Sequence, residues 1–186
     1  MTTRSILVEQ IRRKLAGGNV PNNFPITEQE VGKLVDQTTN SIIGINYLNG
    51  LYDDYITTYE NLEIKLDTTK NIYYCTLPAK PISVPNQGGV AQVSTMQDQS
   101  KLFLAVTANA QFLYSNISEI LQGNSGYYVE QDKLYFVNYN PSTNADKILL
   151  KVLVDRSVFD DEEDYQIPPS IEELILTTVI NKFSGK

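Results

Sequence analysis

Apolar residues recur at helical spacing near the start of the chain: Leu7, Ile11 and Leu15 fall at i, i+4 and i+8. That period puts them on one stripe of a helix over residues 5–16, and Gly17-Gly18 stops it. Pro21 and Pro25 break the following loop. A second helix opens on Thr27-x-x-Glu30, a capping box, with Ile26 set to pack on Val31. Its stripe reads Val31, Leu34, Val35, Thr38, Ile42 and Ile45 and carries it to about residue 48. An extension beyond Gly50 towards Tyr59 stays open, although Gly44 and Gly50 each weaken a helix by about 1 kcal/mol.

From Leu62 the period changes to two. Leu62, Ile64 and Leu66 alternate with Glu63, Lys65 and Asp67. Further strands are expected over residues 72–77, 90–94, 102–106 and 148–155, with a hairpin of 127–130 and 134–137 around Gln131-Asp132-Lys133. A short helix fits residues 111–121, and residues 140–144 read as a loop. The last helix has a second capping box, Ser170-x-x-Glu173, approached through Pro169. Its body of Ile171, Leu174, Ile175, Leu176, Val179, Ile180 and Phe183 is apolar on nearly every face. A helix of that kind is expected to be covered on all sides, by its own sheet and by another subunit.

These elements define an α+β chain with N-terminal helices, a β-rich middle of short, mostly antiparallel strands, and a C-terminal apolar helix. Residues 1–60 form the helical part and residues 61–158 the β-rich part. Residues 159–186 hold an acidic loop and the final helix, which packs back on the helical part.

One segment fits neither period. Pro78, Pro81 and Pro85 each fix φ and remove a donor, so residues 77–89 cannot be a helix or a central strand. They predict a stiff extended arm that turns at Gly88-Gly89. Two readings stand: an intrachain crossover, or an arm docked on a neighbouring subunit, where stiffness reduces the entropy lost on docking.

Composition narrows the chemistry. The 186 residues suit one domain, or one domain with a helical appendage. The net charge of -7 argues against general nucleic-acid binding and against an anionic membrane surface. No apolar run reaches the roughly twenty residues needed to cross a bilayer, and the start lacks a secretory pattern. Synthesis in a cytosol is the simplest expectation. The sole cysteine, Cys75, excludes an internal disulfide framework, and with no cationic neighbour beside it the residue reads as a core position. There is no histidine, which removes Ser-His-Asp and Cys-His catalysis and the commonest zinc ligand. The 12 tyrosines fit either sheet positions or a contact surface.

Asp160-Asp161-Glu162-Glu163-Asp164 is the densest carboxylate cluster, but as a calcium loop it places Tyr165 where glycine is needed and Ile171 where a bidentate glutamate is needed. It reads as a solvated acidic loop. Asp53-Asp54 cannot converge on one substrate, because neighbours in a helix point about 100° apart. Gly88-Gly89 lacks the rest of a phosphate loop, and Asn116-Ile117-Ser118 is a chance sequon. No catalytic, cofactor or metal residue is expected, and the chain reads as a non-enzyme. The first sixteen residues carry Arg4, Arg12, Arg13 and Lys14 against Glu9, a net of +3, while the remainder holds a net of -10. The basic residues form a solvated face, a contact with an acidic partner layer, or a DNA contact.

The run Leu77-Pro78-Ala79-x-Pro81-Ile82-x-x-Pro85-x-x-x-Gly89-Val90-x-x-Val93 resembles a run in structural ring proteins of crAss-like bacteriophages, which are similar in layout to podovirus tail adaptors. The helical start, the β-rich middle and Tyr165-x-Ile167-Pro168-Pro169-Ser170 before an apolar helix fit the same outline. The resemblance implies a virion protein at the head–tail junction. Its partners would be copies of itself in a ring (a dodecamer by the resemblance alone), the portal protein and further tail rings. DNA would pass through without sequence-specific binding. On that reading Pro78, Pro81, Pro85, Leu174 and Ile180 meet neighbours, and Arg12, Arg13 and Lys14 face an acidic layer. The loop of residues 160–164 is expected to lie away from them. The alternatives are a stand-alone binding or adhesion domain, or another capsid- or tail-associated structural protein.

Overall fold

Thr3 starts the first helix. Its hydroxyl accepts the Ile6 N–H at 3.3 Å, so α1 (Arg4–Leu15) begins just ahead of the apolar stripe. This geometry belongs to a computed structural model, which describes residues 2–51, 55–84, 88–106, 124–141, 147–165 and 167–185. Pro85, the Asp53-Asp54 pair, the sequon, the expected helix over residues 111–121 and most of the 140–144 loop lie outside the described residues. The chain forms two compact units, Met1–Tyr55 with Asp155–Lys186, and Ile56–Val154. The architecture is α+β, as the periodicity predicts.

In the helical unit the capping box forms as expected. Thr27 Oγ1 accepts the Glu30 N–H at 3.2 Å, and the Glu30 carboxylate accepts the Thr27 N–H at 2.9 Å. It opens α2 (Glu28–Leu48). The helix does not run on towards Tyr59: Gly50 adopts a left-handed φ of 79°, and the next strand has begun by Ile56. A short 3-10 turn (Arg156–Val158) precedes α3 (Pro169–Ser184), which packs on both α1 and α2.

One expectation for α3 is corrected. Ser170 does not cap it; Pro168 holds the cap position with no side-chain bond, and Pro169 takes the first turn. Proline there is pre-set for a helix and has no orphan N–H, so the start moves ahead of Ser170. Within its own chain α3 is covered on one side. Ile171, Ile175, Leu176 and Val179 form the buried stripe, whereas Glu173, Thr177 and Asn181 face outward with Leu174. The polar residues suffice for a one-sided helix, and Ile180 is half-buried.

The second unit holds two sheets. β1 (Ile56–Glu63), β8 (Lys147–Leu153) and β4 (Val90–Thr95) form an antiparallel sheet in the order β1-β8-β4. β2 (Lys65–Asp67), β3 (Ile72–Thr76), β7 (Lys133–Val137), β6 (Gly126–Glu130) and β5 (Leu104–Ala105) form the other in the order β2-β3-β7-β6-β5. Among the described residues only the β5–β6 pairing is parallel. The alternation from Leu62 to Leu66 is not one strand. The chain leaves one sheet after Glu63 and joins the other at Lys65, and this leaves Leu66 exposed. β8 is the central strand of its sheet and is buried along most of its length, as Ile148, Leu149, Leu150, Val152 and Leu153. Tyr73, Tyr74, Tyr127, Tyr128 and Tyr135 lie in the strands of the second sheet. Tyr74, Tyr135 and Tyr128 are cross-strand neighbours, and the Tyr128 and Tyr135 rings stack at 5.3 Å.

The proline arm lies on its own unit. The Ile82 N–H donates to Leu153 O at 2.8 Å, Pro81 bridges Val154, and the Leu153 N–H donates to Gly89 O at 2.8 Å. Ile82 and Val84 are buried while Ser83 is exposed, so the arm follows a strand's period although its prolines limit its bonds. Among the described residues no helix is long and apolar enough to cross a membrane.

Candidate functional site

On α2, Gly32, Asp36 and Asn40 recur at i, i+4 and i+8, a small-and-polar stripe turned inward. Each takes a partner from another part of the helical unit. Arg4 of α1 forms a fork with Asp36, with Nε 3.0 Å from Oδ1 and Nη2 2.9 Å from Oδ2. Tyr165 donates its phenol to the same Oδ1 at 2.5 Å. Asn40 donates to Asp155 Oδ1 at 2.7 Å and accepts the Arg156 N–H at 3.0 Å. Gly32 is required by the fork, because a Cβ there would lie 2.7 Å from Arg4 Nη2.

Burial works against the charge of Arg4, but the bonds to Asp36 and Asp161 outweigh it and raise its pKa above the ordinary value. Burial, helped by the bond to Asp36, pushes the Tyr165 phenol up as well. Both shifts favour Arg4 as a cation and Tyr165 as a neutral donor.

The residues at the start of α1 fix both ends of the acidic segment. The Ser5 N–H donates to Asp161 O at 3.0 Å, Thr3 bridges Asp164, and the Tyr165 N–H donates to Thr2 O at 2.9 Å. All five carboxylate residues are exposed, as a solvated loop requires, yet Asp161 also pairs with Arg4. The loop therefore touches the basic helix at Arg4, which lies outside the expected group of Arg12, Arg13 and Lys14. It is laced to the first turn of α1, because Arg4 needs a second carboxylate after Asp36 has taken one edge of its guanidinium.

α1 and this loop enclose one side of a cleft of about 790 Å³. Arg4, Ser5, Val8, Glu9, Arg12 and Arg13 line it from α1, Asn19 and Val20 from the loop, Glu28 and Gln29 from α2, and Asp161 closes it. Arg12 pairs with Glu28, and Arg13 with Glu9 at 2.5 Å. Lys14 is exposed at the end of α1. So the structure gathers Arg12, Arg13 and Asp161 at one cleft and leaves Lys14 outside it. Pro78 is exposed on the arm and Leu174 is half exposed on α3. Sequence reasoning missed Gly32, Asp36, Asn40 and Tyr165 as a framework; the helical spacing of the first three on α2 was the available signal.

Arg156 is the costliest residue of this unit. It is 1% exposed, its guanidinium lies 5.0 Å from the Phe159 ring, and its Nε and Nη1 are buried with no hydrogen-bond partner. Burial pulls its pKa below the ordinary arginine value. Arg156→Met keeps the stem and removes the charge. It is expected to stabilise the unit by about 1–3 kcal/mol, read as a higher urea midpoint; a lower midpoint would refute this.

Cys75 is 2% exposed in β3, and burial pushes its thiol from 9.0 up to about 11, opposed only in part by Lys65. The folded state thus holds the proton more tightly. The associated stability is complete below pH 9.0 and is lost as pH rises towards about 11. Cys75→Ala should flatten that alkaline decline. Iodoacetamide at about pH 8 should label the thiol only in denaturant, and labelling of the native chain at the unfolded rate would contradict its burial.

Among the described residues there is no group of three or more acidic or cysteine side chains placed to hold a metal ion. No protein-family model matches the chain, and no curated protein sequence matches it.

Proposed function

We propose that this chain is a structural subunit that closes into a ring at a phage head–tail junction, where it joins the portal to further tail rings and leaves a channel for DNA. The resemblance of the proline run and of the element order supports the virion setting. The observation that carries self-assembly is the apolar end of α2. Ile45 and Leu48 stand one turn apart and Leu51 follows, at 55%, 57% and 65% exposed, and Leu174 of α3 is 51% exposed. Large apolar side chains in line on a small unit mark an interaction face.

The function is mechanical and uses no cofactor. The arm, pinned by Ile82 and Val84, presents Pro78, Lys80 and Ser83 outward from a rigid base. Such a surface docks without first paying to be ordered. Leu48→Asp combined with Leu174→Asp should leave the circular dichroism spectrum unchanged and reduce the assembled species to monomer in light scattering. Native-size assemblies from the folded double variant would remove these residues from the interface.

A further inference from the structure

The cleft beside α1 keeps Arg4 and Arg12 inside and carries Arg13, Glu9, Glu28 and Asp161 at its rim. The Arg4 and Arg12 side chains are 21% and 18% exposed, whereas their partners Asp161 and Glu28 are 61% and 75% exposed. Arg12 Nε is buried and has no acceptor. The first turn of α2 forms the facing wall, so the partial positive charge at the amino end of a 21-residue helix adds to the guanidinium groups. The chain's own Asp161 pairs with Arg4; Arg12, eight residues along α1, lies about 12 Å further on.

We propose that this cleft receives the acidic loop of a second copy of the chain, whose exposed carboxylates at residues 160–164 pair with Arg12 and Arg13. The proposal rests on the ring reading and names the contact between its copies. An exposed ion pair such as Arg12–Glu28 is worth less than about 1 kcal/mol, so exchanging Glu28 for an incoming carboxylate is nearly neutral. The gain comes from enclosing the new carboxylate beside the Arg12 and Arg13 guanidinium groups.

A carboxylate loop suits the cleft better than a nucleic acid does. Glu9, Glu28 and Asp161 at the rim repel a continuous run of phosphates, while a short loop needs only one exchange at a time. The incoming loop is also preformed. Its ends are tied to Thr2, Thr3 and Ser5, and Glu163 accepts the Asp160 N–H at 3.2 Å. Little entropy is left to lose on docking. Loop and cleft adjoin through Asp161, and a contact in which each copy offers its loop to the cleft of the next closes a ring when it repeats around an axis.

Charge exchange between copies tests it. Arg12→Glu with Arg13→Glu reverses the cleft, and Asp160→Lys with Glu162→Lys reverses the loop. Each variant alone should associate at least about tenfold more weakly in light scattering, and an equimolar mixture should regain the native assembly because each reversed cleft meets a reversed loop. Native-like assembly of the cleft variant, or a mixture that does not recover, would overturn the proposal. Should the double cleft variant unfold, Arg13→Glu alone, at a side chain 63% exposed, replaces it. Duplex DNA bound by the native chain and released by the cleft variant would assign the cleft to phosphate and also overturn it. A native chain that stays monomeric would instead defeat the ring reading.

Discussion

Gly89→Ala should destabilise the β unit by about 3 kcal/mol or more, far beyond the effect of the same change at Gly88. Both glycines adopt left-handed backbone, with φ of 70° at Gly89 and 57° at Gly88. They differ in what surrounds them. A Cβ at Gly89 would sit 2.3 Å from Ile82 O and 2.9 Å from Ile82 N, and both of those atoms are backbone. Neither can move freely, because the Ile82 N–H is bonded to Leu153 O and Leu153 in turn donates to Gly89 O. The substitution would therefore lift the arm off the end of β8 and expose Ile82 and Val84. At Gly88 nothing lies within 4 Å, so alanine there should cost only about 1 kcal/mol for the left-handed conformation. Urea unfolding of the two variants makes the comparison. Equal losses would mean that the arm is not held against β8 as described.

Asp36→Ala should remove about 3 kcal/mol from the helical unit. Asp36 is 5% exposed and serves Arg4 and Tyr165 together. Without it the buried Tyr165 phenol loses its carboxylate acceptor and keeps only Thr39, and Arg4 keeps only Asp161 at the surface. Asp36→Asn keeps an acceptor for Tyr165 and should lose less. Gly32→Ala is the companion test, since its Cβ would push the guanidinium of Arg4 away from Asp36. If the alanine variant at position 36 unfolded at the native urea midpoint, the framework would carry no stability.

The features legible in the sequence are those set by neighbours along the chain. Thr27 and Glu30 read as a cap because three residues separate them, and Leu7 and Ile11 read as a buried stripe because one turn does; both are fully buried. Features decided by distant packing were not legible. Asp36 and Tyr165 are 129 positions apart, and nothing local says that they meet. Leu66 continues an apolar alternation yet faces outward, because the chain changes sheets beside it. Ser170 carries a capping pattern, but the proline before it moves the helix start. At the cleft the sequence identified Arg12, Arg13 and the acidic residues separately. Their placement at one site depends on Arg4, whose two carboxylate partners lie 32 and 157 positions away.

Electron micrographs of the purified chain test most directly the proposal that its copies assemble into a closed ring. Discrete rings with an open centre and a single copy number are expected, dispersing when Leu48 and Leu174 are changed to aspartate. A folded chain that remains monomeric at high concentration and low salt, with no rings in the micrographs, would contradict it.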